Sequence, residues 1–172
     1  MHMRLFLAIL LEPNVRKALE DAQHFLRINE FSGHYTDARN LHLTLAFIGD
    51  YADPDTILDL AEQIRFKPFS LTLGGYLGNF DDILWAGTER SPELDSLVRR
   101  LRHVLAEGQI PFDKKRFHPH ITLLRSAQGR RRFAEISVRR ESMTVRSISL
   151  MRSDFGKHGA VYTEVGRIEA IP

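Results

Sequence analysis

His42-Leu43-Thr44-Leu45 and His120-Ile121-Thr122-Leu123 place the same chemistry in the chain twice. Each lies in an apolar run, residues 41–48 and 117–124, of the kind that forms a buried strand. Side chains alternate faces along a strand, so a His and a Thr two residues apart share one face. Leu43, Leu45, Ile121 and Leu123 then point the other way, into a core. Imidazole titrates near neutrality, so one copy can be neutral while the other is protonated. The neutral ring takes a proton from water and the imidazolium gives one to a leaving oxygen, each step worth about 10² to 10⁴ in rate. Hydroxyls beside them can donate to the non-bridging oxygens of a phosphoryl group, worth roughly 3 to 4 kcal/mol in the transition state. Together these groups describe a metal-free site for in-line attack at phosphorus. One such tetrapeptide alone would more often be a packed core histidine; two copies in a repeated framework read as catalysis.

The framework does repeat. Pro13 opens an amphipathic helix with Val15, Ala18, Leu19, Ala22, Phe25 and Leu26 on one face. Pro92, after a potential cap at Ser91, opens another with Leu94, Leu97, Val98, Leu101, Val104 and Leu105 at the same offsets. A short strand precedes each helix, at 5–10 and 83–86, and a polar loop, at 29–39 and 108–115, leads from each toward a His-x-Thr strand. The remainder matches more loosely. A helix over 54–65 has only a short counterpart or turn at 130–136, and strands follow at 69–76, 144–152 and 161–168. Gly74-Gly75 and Gly78 mark a bend or bulge in the first of these strands. The expected fold is α+β, with two pseudo-symmetric lobes, each a mostly antiparallel sheet backed by helices, and the active-site cleft between them. A single domain over 1–172 is expected, internally duplicated at about 4–80 and 83–168.

Composition bounds the setting. The chain is 43% hydrophobic and 27% charged, ordinary for a globular protein. No apolar stretch approaches the roughly 18 residues of a membrane span. Met3-Arg4 runs into an apolar strand with no small-residue cleavage site, so no secretory leader is expected, and His2 is given no role. Without cysteine, disulfides and thiolate chemistry are excluded and a cytoplasmic location is expected. The net charge of +2 hides an excess of about ten positive charges between Leu97 and Arg152, mostly arginine. The run Arg130-Arg131-Arg132 alone reads as a solvated face, but the excess on both sides of His120 points to an anionic ligand.

The paired motifs resemble the signature of the two-histidine (2H) phosphoesterases. More narrowly, Met3–Ile9, Leu41–Gly49, Phe117–Arg125 and Ser149–Ser153, followed by a strand containing Tyr162, are similar to the bacterial and archaeal RNA 2',3'-cyclic phosphodiesterases, historically called 2'-5' RNA ligases. The resemblance covers nearly the whole chain. It implies metal-independent hydrolysis of an RNA 2',3'-cyclic phosphate end to a 2'-phosphate, with reversible, ATP-independent 2'-5' joining. It also implies that His42 is the proton donor to the leaving 3'-oxygen, His120 the proton acceptor from water, and Thr44 and Thr122 the phosphate holders. Near-symmetry leaves the two histidine roles interchangeable on sequence alone. The alternatives are a 2H enzyme for another small phosphodiester, such as a cyclic ADP-ribose phosphate or a 2'-5' oligoadenylate, or a non-catalytic RNA-binding module. No cofactor or metal is expected; the partner is RNA or a nucleotide with a cyclic end, and the chain is expected to act as a monomer away from membranes.

Secondary candidates surround the motifs. The resemblance suggests that Arg125 binds substrate, yet strict alternation puts it on the face opposite His120, so a bulge or strand end must redirect it. Phe47 holds the equivalent place in the first unit and either stacks on a base or packs in the core. Arg152 faces either phosphate or solvent. His118 shares parity with His120 and reads as supporting at most. A metal on His118 and His120 would need a third ligand, and Asp113 and Glu135 are poorly spaced for it. The segment 74–78 lacks the Gly-Lys-Ser/Thr ending of a phosphate loop, so no ATP site is expected.

Overall fold

The computed structural model describes residues 3–172; Met1 and His2, and with them the reading that His2 has no role, lie outside the described residues. In chain order the elements are β1 (Met3–Leu10), α1 (Pro13–Ile28), β2 (Ser32–Tyr35), β3 (His42–Tyr51), α2 (Pro54–Glu62), β4 (Phe69–Phe80), β5 (Ile83–Thr88), α3 (Pro92–Glu107), β6 (His120–Gln128), β7 (Ser142–Val145), β8 (Ser147–Gly156) and β9 (Gly159–Glu169). Single 3₁₀ turns lie at Ala38–Asn40 and Phe133–Glu135. The strands form two sheets, ordered β3-β1-β8-β9 and β2-β6-β5-β4-β7, and each recorded pairing is antiparallel.

The lobes are not the two halves of the chain. β4, from the first half, lies beside β5 in the second sheet, and β8, from the second half, lies beside β1 in the first. The helices cross over too: α1 packs on β6 and β7, while α3 packs on β3 and β4. One hydrophobic core joins both sheets and all three helices, and the motif aliphatics Leu43, Leu45, Ile121 and Leu123 are fully buried in it. Each buries apolar surface worth about 1.5 to 3 kcal/mol, which fixes which face of its strand the neighbouring His and Thr occupy.

Local chemistry sets the boundaries. Proline opens each helix. Ser91 Oγ accepts from the Leu94 amide at 3.1 Å, and Asp53 Oδ1 accepts from that of Thr56 at 3.3 Å. α2 stops at Glu62 rather than 65, and Arg65 beyond it has a positive φ of 41°. On α1 the predicted face holds except for Phe25, which is half exposed; Gln23 is buried instead. The predicted loop 29–39 contains β2, whose short polar strand pairs with the edge of β6. The predicted strand 144–152 is two strands broken at Arg146, because β7 pairs with β4 and β8 with β1. The second motif strand begins only at His120, since Pro119 has no N–H for the ladder. The bend expected in β4 is present: Gly75 has φ +80°, and the β4–β5 register is irregular between Leu73 and Leu77.

Candidate active site

β3 and β6 contact each other where the two sheets meet, and a cavity of about 1050 Å³ opens there. Its lining includes His42, Thr44, His120 and Thr122, together with Phe47 and Arg125. The first four follow from the pleat. The last two need a correction to it. In β6, Thr122 pairs with Trp85 and Leu124 with Leu84, so one step on β5 spans two on β6 and Leu123 is an extra residue. In β3, Thr44 pairs with Ala8 and Ala46 with Leu7, so Leu45 is extra in the same place. Each bulge buries two consecutive apolar residues, Leu45-Ala46 and Leu123-Leu124, and turns the next side chain back to the cavity. The redirection Arg125 required is therefore supplied, and Phe47, 38% exposed, is a cavity residue rather than a core one.

Both imidazoles are held the same way. His42 Nδ1 donates to the Asn40 carbonyl at 2.6 Å, and His120 Nδ1 donates to the His118 carbonyl at 2.7 Å. A carbonyl only accepts, so the neutral rings carry their proton on Nδ1 and leave Nε2 for chemistry. His42 Nε2 accepts from Thr44 Oγ1 at 2.8 Å. Burial holds the His42 imidazolium below the ordinary histidine range, against the bond to Asn40, and the charges of Arg125 and His120 add to the lowering. For His120, burial again leads, opposed by the bond to His118 and reinforced by His118 and Arg125. The free site thus favours two neutral imidazoles, and an incoming phosphate anion is the natural counter-charge for protonating one.

Aromatic walls fix the rings, and these were missed in the sequence. Phe6 and Tyr162 lie 5.0 and 5.3 Å from the His42 ring, centroid to centroid. Phe80 and Trp85 lie 5.0 and 5.9 Å from that of His120. His118 sits behind, 4.9 Å from Trp85 and outside the cavity lining; its carbonyl, not its ring, serves the site. The cavity's cations are Arg4, Arg27, Arg39, Arg125 and Lys157, against the single carboxylate Asp37, which Arg39 pairs. Only Arg125 comes from the basic stretch 97–152. The other cations of that stretch lie outside the lining, with Arg139 on Asp21 at 2.7 Å and Arg102 on the Lys115 carbonyl at 2.7 Å. Arg152 is another correction: paired with Leu5 on β1, it points away from the cavity and binds Asp154 at 2.9 Å. Among the described residues no group of three or more His, Cys, Asp or Glu is placed to hold a metal. Asp113 instead accepts from the Lys115 amide.

Comparison with known proteins agrees with this geometry. A family model described as the 2'-5' RNA ligase superfamily matches residues 11–157. An Escherichia coli protein named RNA 2',3'-cyclic phosphodiesterase is 39% identical over 132 residues, 72% of each chain. A Thermus thermophilus protein of the same name is 32% identical over 176 residues, covering 94% of this chain and 87% of its own. Among solved structures, E. coli LigT complexed with 3'-AMP superposes with a TM-score of 0.83 over the whole of both chains, at 29% identity.

Proposed function

The chain belongs to the 2'-5' RNA ligase superfamily, and on that premise we propose that it hydrolyses RNA 2',3'-cyclic phosphate ends to 2'-phosphates. The observation that carries this reading is the pairing of two imidazoles, each with Nδ1 tied to a carbonyl, and two threonines on one cavity. In the proposed reaction, water attacks phosphorus in line with the P–O3' bond and gives its proton to His120 Nε2. The P–O3' bond breaks, and the departing 3'-oxygen takes the proton from His42 Nε2. Thr44 and Thr122 donate to the non-bridging oxygens, Arg125 pairs with the phosphate, and Phe47 offers its face to the terminal base. His120 suits the water-activating role because its Nδ1 bond is solvent-exposed, whereas that of His42 is partly buried. A 5'-hydroxyl in place of water gives the reverse-type joining, a 2'-5' linkage, without ATP.

The proposed setting is a cytoplasmic monomer acting on RNA or a nucleotide. Among the described residues no helix is long and apolar enough to cross a membrane. Descent of this single domain from a duplication at about 4–80 and 83–168 is supported by the matching orders β3-β1-β8 and β6-β5-β4. The test is turnover of a 2',3'-cyclic nucleotide and a cyclic-ended oligonucleotide in chelator. Release of 2'-phosphate is expected, with a loss of about 10² to 10⁴ in His42→Ala and in His120→Ala. Binding without turnover, or turnover only with added metal, would refute it.

A further inference from the structure

The β8–β9 hairpin runs past the catalytic strands and ends in a two-residue turn at Lys157-His158, closed by the Gly156–Gly159 pair. Ser153 and Phe155 share one face of it, with Tyr162 directly opposite Ser153 and Ala160 opposite Phe155. Tyr162 packs edge-on against His42, so Phe155 stands one pleat repeat, about 7 Å, further out on the same face. Small Ala160 leaves its ring uncovered. At 88% exposure it is the most exposed large hydrophobic side chain among the described residues, and it lines the rim of the same cavity. Such a ring contributes nothing to the core, and its place is not loose: Asn40 Nδ2 donates to the Ala160 carbonyl at 2.9 Å. The backbone carbonyl of that same Asn40 holds His42 Nδ1, so one residue indexes both the imidazole and the hairpin.

Resting on the function proposed above, we infer that Phe155 is a stacking platform for the base of the nucleotide immediately 5' to the cyclic end. A cyclic phosphate terminates its strand, so RNA leaves the site in one direction only, from the 5' side of the bound nucleotide. The cavity, at about 1050 Å³, is as large as the upper end of the range for drug-sized ligands and has room beyond one nucleotide. Lys157, next to the ring, and Arg4, paired with Ser153 across the sheet and also lining the cavity, supply the cations that a phosphodiester linkage passing the hairpin would need. Asp154, the acid nearest the turn of this hairpin, points to the opposite face and is neutralised by Arg152. An exposed aromatic flanked by cations is the combination that binds single-stranded RNA without reading its sequence.

The experiment compares kcat/KM for a cyclic-ended trinucleotide with that for a 2',3'-cyclic mononucleotide, in the unaltered enzyme, Phe155→Ala and Phe155→Trp. The ratio of trinucleotide to mononucleotide is expected to fall about five- to a hundredfold in Phe155→Ala, through KM, and to return in Phe155→Trp. Equal loss on both substrates, or loss on neither, overturns the inference while leaving the activity in place. A dimer that Phe155→Ala converts to monomer, with the ratio unmoved, overturns it in favour of self-association. No turnover of either substrate by the unaltered enzyme overturns the functional reading itself and the inference with it.

Discussion

Replacing Gln23 with methionine removes two hydrogen bonds and almost no volume. Gln23 is buried on α1, at 4% exposure, and its Nε2 donates to the Thr36 carbonyl at 2.8 Å and to the Leu123 carbonyl at 3.1 Å. Leu123 is the extra residue of the β6 bulge, between Thr122 and the redirected Arg125. Its carbonyl keeps a second donor in the variant, the Thr36 amide at 3.0 Å, so the Thr36 carbonyl bears most of the loss. Each bond contributes about 0.5 to 1.5 kcal/mol net, so a cost of about 2 kcal/mol is expected. For a chain of this length that is a fall of about 4 to 8 °C in Tm by calorimetry. A bulge held less firmly also lets Arg125 wander, and kcat/KM for a cyclic nucleotide is expected to fall about tenfold at temperatures where the variant is folded. A Tm within a degree of the parent would refute the hydrogen-bond accounting. A lowered Tm with unchanged kcat/KM would show that the bulge does not steer the site.

The remaining predictions concern charge and packing. kcat/KM should follow a bell against pH with its acid limb below pH 6.5, because burial lowers both imidazoles; a flat rate between pH 5 and 8 would contradict this. Arg125→Ala should move that limb to higher pH, since the lost charge had been lowering both rings, whereas Arg125→Lys keeps the limb and still weakens phosphate binding. The same two histidines set a stability trend. Their folded pKa values lie below the unfolded value near 6.5, so the unfolded chain binds more protons, and Tm should fall as pH drops from about 7 through the folded values. Gly78→Ala drives a Cβ into Trp85 Cη2, displacing the ring that packs on His118 and His120. About 1 to 3 kcal/mol of stability and much of the activity should go together; loss of neither would refute the packing account.

The convergence of His42, Thr44, His120 and Thr122 on one cavity was legible because it needs only the period-two pleat and a core to orient it, and the repeat supports both copies. The bulges were half legible. Alternation after Thr44 and Thr122 is broken in both copies by an apolar doublet, Leu45-Ala46 and Leu123-Leu124, and that doublet is the signal for the side chain that follows. The cations were misread because charge was counted along the chain. The fold instead gathers single residues from β1, α1, the turn before β3, β6 and the β8–β9 hairpin. β2 was illegible for a different reason: Ser32-Gly33-His34-Tyr35 has no hydrophobic pattern, and only the free edge of β6 makes it a strand.

Exchange of β4 and β8 between the sheets bears on how the site works. The chain passes from one sheet to the other four times, and between β7 and β8 it does so through Arg146 alone. A second crossing, between β2 and β3, is pinned by the Thr36 amide on Leu123 and by Gln23. Rotation of one lobe against the other would have to strain these two short links, so the separation of His42 from His120 is set by the backbone around them. The proposed exchange of protons by two imidazoles on opposite sides of one phosphorus would gain most from such fixity, because the cost of positioning them is met on folding. Substrate entry then falls to the open rim, where Asn40 ties the β8–β9 hairpin to the same backbone that holds His42.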